Sequence, residues 1–471
     1  MMKNKAMRCV WLVCGLLMLA VTSCKDDLLY TDGEPIPEGE TTIIAQVDFR
    51  PLVEGLAGKS RTAGDAIKSI QDLCVLLYDT EGNFVEGHSL ESISNANPTD
   101  GQFYVNEVTR KDGDAPDGGT IAETKTPQAN LKLTIPYGRY YIYAVANMGE
   151  DFKKAVQAHG KENGAAEEVA KYKTAIATKE GLKSISLTWD VADVAKNSQM
   201  FGHFTIVGQE NNSELITINK KGMKLHSWIR RAASKVTIAY DGSKLEEGVF
   251  IYLKSVTIKD IPQNCCLGQD NPAVPENYQP KDRDEGVKLD LIKNGETIKY
   301  YEGDTEPTIS DFKETYEARI TKGKPLFGSK EQGENAYHPK KLADVHTEIT
   351  NALYFYENMQ GKGKEGTPSD KRQVVANTLN KTEPTYPNGG QENNEAWKDA
   401  KPYGTYIEVD AFYVSINDKK VGRGPIKYRF MLGKDVITDY NAERNHHYKL
   451  TLKFKGYTND ADWHIEYEEP E

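Results

Sequence analysis

The side chains that could do chemistry in this chain are few and scattered. His446 and His447 form the one histidine pair, and two imidazoles are a start toward a zinc site. Neighbours on a strand point to opposite faces, however, so the pair does not converge on a metal. Asp282-Arg-Asp-Glu-Gly-Val and Asn459-Asp-Ala-Asp462 put oxygen ligands into loops but lack the spacing and the bidentate glutamate of a calcium loop. Both read as solvated turns. Cys265 and Cys266 are adjacent, where a disulfide would be strained, and read as two free thiols. Cys74, inside Leu73-Cys-Val-Leu-Leu, reads as a buried core thiol. No nucleophile elbow, phosphate loop, dinucleotide fingerprint, Cys-x-x-Cys pair or His-Glu-x-x-His helix is present. The expectation is a chain with no catalytic residues, no metal and no cofactor.

The chemistry the sequence does specify lies at its start. Lys3, Lys5 and Arg8 precede the apolar run Cys9 to Val21, and Thr22-Ser23-Cys24 follows at once. That order is a secretory signal with a lipoprotein cleavage box. The run falls short of the roughly 20 apolar residues a membrane span needs. Cleavage before Cys24 would leave its thiol and amine to carry fatty acyl chains such as palmitate. Loss of the three cations takes the formal charge from −11 to −14, which excludes nucleic acid as a partner class. Four cysteines would remain of six, one of them lipidated, so no disulfide framework supports the fold. The remaining length is enough for two or three domains.

Period-2 alternation sets the elements. In Thr41 to Phe49 the residues Ile43, Ala45, Val47 and Phe49 share one face, with Ile44 the exception on the other. Leu131, Leu133 and Ile135 alternate before the break Pro136-Tyr137-Gly138, and Tyr141, Tyr143 and Val145 after it. Tyr448, Leu450, Leu452 and Phe454 give a strand with one wet face. Further strands are expected at Ile70 to Asp79, Leu182 to Asp190, Met200 to Val207, Glu214 to Asn219, Ser234 to Tyr240, Phe250 to Ile261, Ala352 to Glu357, Tyr406 to Ser415 and Ile426 to Leu432. Glu150 to Glu180, rich in Ala, Lys and Glu, reads as helical, with Gly160 and Gly164 interrupting it. The aromatic runs Tyr140 to Tyr143 and Tyr354 to Tyr356 fit cross-strand packing better than a sugar platform. Gln263 to Thr350 and Gln360 to Pro402 are polar stretches that read as surface excursions. The basic, irregular stretch Lys220 to Arg231 places a domain boundary near Lys224.

Several of these segments resemble the fimbrillin family, the subunits of the fimbriae of Bacteroidetes. They are the box ending at Cys24 with its alternating strand, Lys59-Ser-Arg61-Thr-Ala-Gly, Ile67 to Asp79, Tyr141-Ile-Tyr-Ala-Val-Ala-Asn147, Leu353 to Gly361, Ile426 to Gly433 and Glu443 to Leu452. Lys25-Asp26-Asp27 also resembles the Lys-plus-acid signal that sends lipoproteins of that phylum to the outer face of the outer membrane.

The resemblance implies two tandem transthyretin-like antiparallel β-sandwiches and a structural, adhesive, non-enzymatic subunit of a cell-surface fimbria. The divisions are a signal peptide over 1–23, a tether and removable first strand over 24–61, a sandwich over 62–223 and a second sandwich with long insertions over 224–471. It further implies a precursor held on the outer membrane by lipid at Cys24 and cut by an Arg-specific protease between Arg61 and Thr62. Donor-strand exchange follows, in which another subunit's strand fills the groove left by Ile43, Ala45, Val47 and Phe49. Arg50 is the competing cleavage site, but Pro51 follows it. Partners would be other fimbrial subunits and a ligand on a host or bacterial surface. Shaft, tip and anchor roles stay open, since Trp463, Ile465 and Tyr467 alternate as a donated strand requires but lie in a short, acidic segment. The alternative is a lipid-anchored glycan-binding protein of a polysaccharide-uptake system.

Overall fold

The computed structural model describes residues 35–49, 69–70, 72–86, 89–92, 104–105, 108–109, 128–157, 166–191, 194, 198–209, 213–246, 249–279, 285–299, 326–328, 352–363, 371, 403–417, 419–456 and 460–467. The fold is mainly β, in two units built around two separate apolar cores.

The first unit contains β1 (Glu40–Phe49), β2 (Ser69–Ile70), β3 (Leu73–Tyr78), β4 (Ser89–Ser92), β5 (Tyr104–Val105), β6 (Val108–Thr109), β7 (Gln128–Pro136), β8 (Gly138–Ala146), β9 (Ser186–Thr188), β10 (Met200–Ile206), β11 (Leu215–Ile218) and β12 (Lys224–Arg231). Its main sheet runs β4-β7-β1-β12-β10-β8-β3-β5, with β11 also on β8. One core collects alternate side chains of β1, β7 and β12 together with those of β3, β8 and β10. The strand β3 is buried on both faces, which explains its unbroken apolar run. Its second cover comes from the helices Gly149–Gln157, Glu167–Ala175 and Lys179–Lys183, which bury Phe152, Ala155, Val156, Val169 and Leu182 in the same core. Two side chains fix that layer. Asp72 accepts from the amides of Met148 and Gly149 at the first helix start, and the Tyr78 hydroxyl donates to the Ile176 carbonyl.

The second unit contains β13 (Ala233–Leu245), β14 (Val249–Pro262), β15 (Asn264–Cys266), β16 (Leu291–Lys299), β17 (Leu326–Gly328), β18 (Ala352–Tyr356), β19 (Asn358–Lys362), β20 (Tyr406–Asn417), β21 (Lys420–Met431), β22 (Asp439–Ala442), β23 (His447–Gly456) and β24 (Asp460–Tyr467). Sheets β18-β13-β23-β24 and β16-β14-β20-β21 pack over the second core.

The units repeat one arrangement that no sequence repeat announces. In the first, β1 lies between β7, antiparallel, and β12, parallel. In the second, β13 lies between β18, antiparallel, and β23, parallel. These two sheets thus each carry one parallel pairing among antiparallel ones, because the first strand of each unit runs in the same direction as a late strand beside it, β12 in the first and β23 in the second. All other strand pairings among the described residues are antiparallel.

Several expectations need correction. The first unit continues past Lys224, since Lys224–Arg231 is a strand of its sheet and β13 opens only at Ala233. The stretch looked irregular because Lys224, His226, Trp228 and Arg230 take the solvent side while Leu225, Ser227 and Ile229 are buried. The polar stretch Gln263 to Thr350 contains β16, an edge strand with no fully buried residue, and β15, which pairs with β9 of the other unit. Leu182 to Asp190 is a strand only over Ser186–Thr188. Thr178 accepts from the Gly181 amide and so caps a helical turn that buries Leu182.

At the seam between the units β15 pairs with β9, and one arginine of the second unit holds the segment that follows β15. Nη1 of Arg444 donates to the carbonyls of Cys266 and Leu267 at 3.0 and 3.3 Å. Nη2 donates to the Gln269 carbonyl at 2.6 Å and to the Glu357 carboxylate. Cys265, Leu267 and Tyr356, all from the second unit, complete the core of the first, and Trp189 packs against both cores.

Candidate functional site: the first strand and its groove

The sequence forms β1 because alternate β-branched and small residues suit a pleat with one buried face. Its partners fix which face. Against β7 the register is Ile43 to Leu133, Ala45 to Leu131 and Val47 to Ala129. Against β12 it is Ala45 to Leu225, Val47 to Ser227 and Phe49 to Ile229. Ile43, Ala45 and Val47 are at most 1% exposed. The backbone of Phe49 stands in register with the other three, while its side chain lies outside the described residues, as do Cys24, Arg61 and Thr62.

Three of the four expected groove residues are thus brought together in one apolar channel. Its floor and walls are Ala129, Leu131, Leu133 and Ile135 of β7, Leu225 and Ile229 of β12 and Phe204 of β10. Leu225 and Ile229 were missed in the sequence, since the cations around them masked their period of two. Burying Ile43 and Val47 contributes about 1.5–3 kcal/mol each. The backbone adds a second term, because β1 is paired on both sides over most of its length. Removing it opens a gap inside the sheet and bares two facing rows of amides and carbonyls.

The other chemical candidates are held in structural roles. A ring nitrogen of His447 lies 2.7 Å from the Thr237 hydroxyl, and burial, with Lys235 and Lys449 nearby, keeps its pKa well below the usual imidazole range. His446 Nδ1 sits 2.6 Å from the Arg444 carbonyl. Cys74 and Cys265 are buried free thiols and Cys266 is half-buried. Among the described residues no three His, Cys, Asp or Glu side chains come together as a metal set, and no helix is long and apolar enough to cross a membrane.

A family model described as a domain of unknown function, DUF4906, matches residues 353–452. None of the curated proteins compared matches the chain. Among solved structures, a candidate cell adhesion protein from Parabacteroides distasonis superposes with a TM-score of 0.42 at 10% identity, covering 92% of this chain and 98% of the other. The fimbrilin FimA from Porphyromonas gingivalis gives 0.36 at 12% identity, covering 91% and 96%. The tip fimbrial protein Mfa3 from the same species gives 0.35 at 10%, covering 91% and 99%.

Proposed function

We propose that the chain is a structural and adhesive subunit of a cell-surface fimbria, assembled by exchange of its first strand and without a catalytic step. The observation that carries this reading is the position of β1, the first strand of its unit, which plugs an apolar channel from the middle of a sheet. A strand so placed can be replaced only by another of similar pattern, since both the channel and the two ladders must be refilled. The chain on either side of β1 carries the matching features, lipidation at Cys24 to hold the precursor on the outer membrane and Arg61-Thr62 as the bond whose cleavage frees the strand. Other subunits of a homo- or heteropolymer are the partners. At the far end β24 is the outer strand of its sheet, held by β23 alone and burying Ile465, and so is the described strand best placed to leave and be donated.

The test is digestion of the full chain with an Arg-specific protease. A new N-terminus at Thr62, followed by ladders that resist unheated detergent, is the expected result. Cleavage that begins elsewhere and spares Arg61, with no ladder, refutes it.

A further inference from the structure

Among the described strands, β4 and β7 reach the rest of their sheet through β1 alone, in the order β4-β7-β1-β12-β10. Loss of β1 therefore leaves β7 and β12 facing each other across an open lane about 9.6 Å wide, two strand spacings of about 4.8 Å. Their directions match. β7 is antiparallel to β1 and β12 is parallel to it, so β7 and β12 run antiparallel to each other. Their polar rows match as well. The Tyr137 amide donates to the Gly39 carbonyl and the Ile44 amide to the Met223 carbonyl, while the Lys224 carbonyl accepts from Val207 on the opposite side of β12. Alternate residues of a strand turn amide and carbonyl to the same edge, so the odd-numbered residues of both β7 and β12 aim at the lane.

We infer that the sheet closes on itself when β1 is gone, β7 crossing the lane by one strand spacing to pair directly with β12. Both strands are already in register with β1. Ile44 stands between Lys132 and Lys224, Ala45 between Leu131 and Leu225, and Val47 between Ala129 and Ser227. Bringing each pair together sets odd residue against odd residue, so Leu131 with Leu225 and Ala129 with Ser227 become hydrogen-bonded pairs without a slip or a flip of either strand. Sidedness survives too, because all four of those side chains are buried on the core face now and keep that face after closure. The movement has a hinge. A single residue, Tyr137, joins β7 to β8, and the Tyr140 hydroxyl donates to the Pro136 carbonyl, so that end of β7 stays beside β8 while the Gln128 end swings. β4 travels with β7. Closure re-pairs the bared backbone and shrinks the emptied channel, and both effects favour it. Against it stands Lys132 opposite Lys224, a like-charge pair of exposed side chains, which loosens the closed state in favour of an incoming strand. The inference rests on the reading that β1 leaves, and adds that the vacated sheet protects itself and makes the donated strand compete for the lane.

The experiment combines Lys132→Cys with Lys224→Cys, two exposed positions on either side of Ile44. A disulfide needs Cα atoms within about 4.4–6.8 Å, which β1 prevents while it lies between them. β1 is removed from the full chain without use of Arg61, through a recognition site for a sequence-specific protease placed between Phe49 and Ser69, a wash in mild urea and a mass measurement that confirms the loss. A second variant, Ile43→Asp with Val47→Asp in the uncut chain, evicts β1 by charge. In both emptied proteins the disulfide between positions 132 and 224 should form at least about tenfold faster than in the intact chain. It should be suppressed by a peptide of residues Glu40–Phe49, and once formed it should block uptake of that peptide until reduced. A rate no higher than in the intact chain, or a disulfide that leaves peptide uptake unchanged, overturns closure. β1 that stays bound after cutting overturns the exchange reading as well, whereas β1 lost without the disulfide overturns closure alone.

Discussion

Ile43 and Leu133 stand directly opposite each other in the ladder between β1 and β7, and both side chains are completely buried. The first strand therefore contributes to the core on the same terms as its neighbour β7. Replacing Ile43 or Val47 with Asp forces a carboxylate into an apolar channel, and each should destabilise the uncleaved chain by about 3 kcal/mol or more. Gln46→Asp, on the solvent face of the same strand, should change stability by less than about 0.5 kcal/mol. Thermal melting of the three variants checks this, and similar melting points for all of them would place β1 outside the core.

Arg444 answers the buried Glu357 carboxylate within the second unit, next to the segment that meets the first. Arg444→Ala should cost about 3–5 kcal/mol, because Glu357, only 2% exposed, is left charged without its cation. Arg444→Met combined with Glu357→Gln should recover part of that loss, since a glutamine oxygen can still accept from the Asn271 amide as Glu357 does now. Chemical denaturation of the two variants gives the comparison. Equal stability would mean that the cost lies in the lost carbonyl contacts and not in the stranded charge.

Glu408 sets an acid limit. Burial alone would raise its pKa, but hydrogen bonds from Lys259 and Arg429, with the charge of Lys427, outweigh this and hold it at about 2. A carboxyl whose pKa is lower in the folded chain stabilises fully above its ordinary value of 4.5, and that contribution is lost as pH falls from there to about 2. With three partly hydrated partners the contribution is about 2 kcal/mol. Glu408→Gln should flatten the decline of stability over that window relative to the native chain. A native and a variant curve that fall in parallel would show that the cluster does not govern acid stability.

Much of the fold could be read from alternation alone, and the reasons for the failures are specific. β1, β3, β7, β8, β10, β20 and β23 lie close to where their apolar periods place them, because each buries at least one full face. β12 escaped since its buried side mixes Leu225 and Ile229 with Ser227 while its other side is basic and aromatic. β16 escaped because an edge strand can leave every side chain partly wet. Arg444 had no signature at all, since its contacts include three backbone carbonyls and a glutamate 87 residues away. The shared buried face of Ile43, Ala45 and Val47 was legible because a strand with one face in an apolar core must carry the period of two itself, whatever its neighbours are.

Whether β1 is exchangeable can be measured with a fluorescent peptide of residues Glu40–Phe49 added to the protein before and after cleavage at Arg61. The account predicts saturable uptake by the cleaved protein once its own strand is washed away, none by the uncleaved chain, and none when the peptide carries Val47→Asp. Cleaved protein that keeps its melting temperature, binds no peptide and stays monomeric would contradict it.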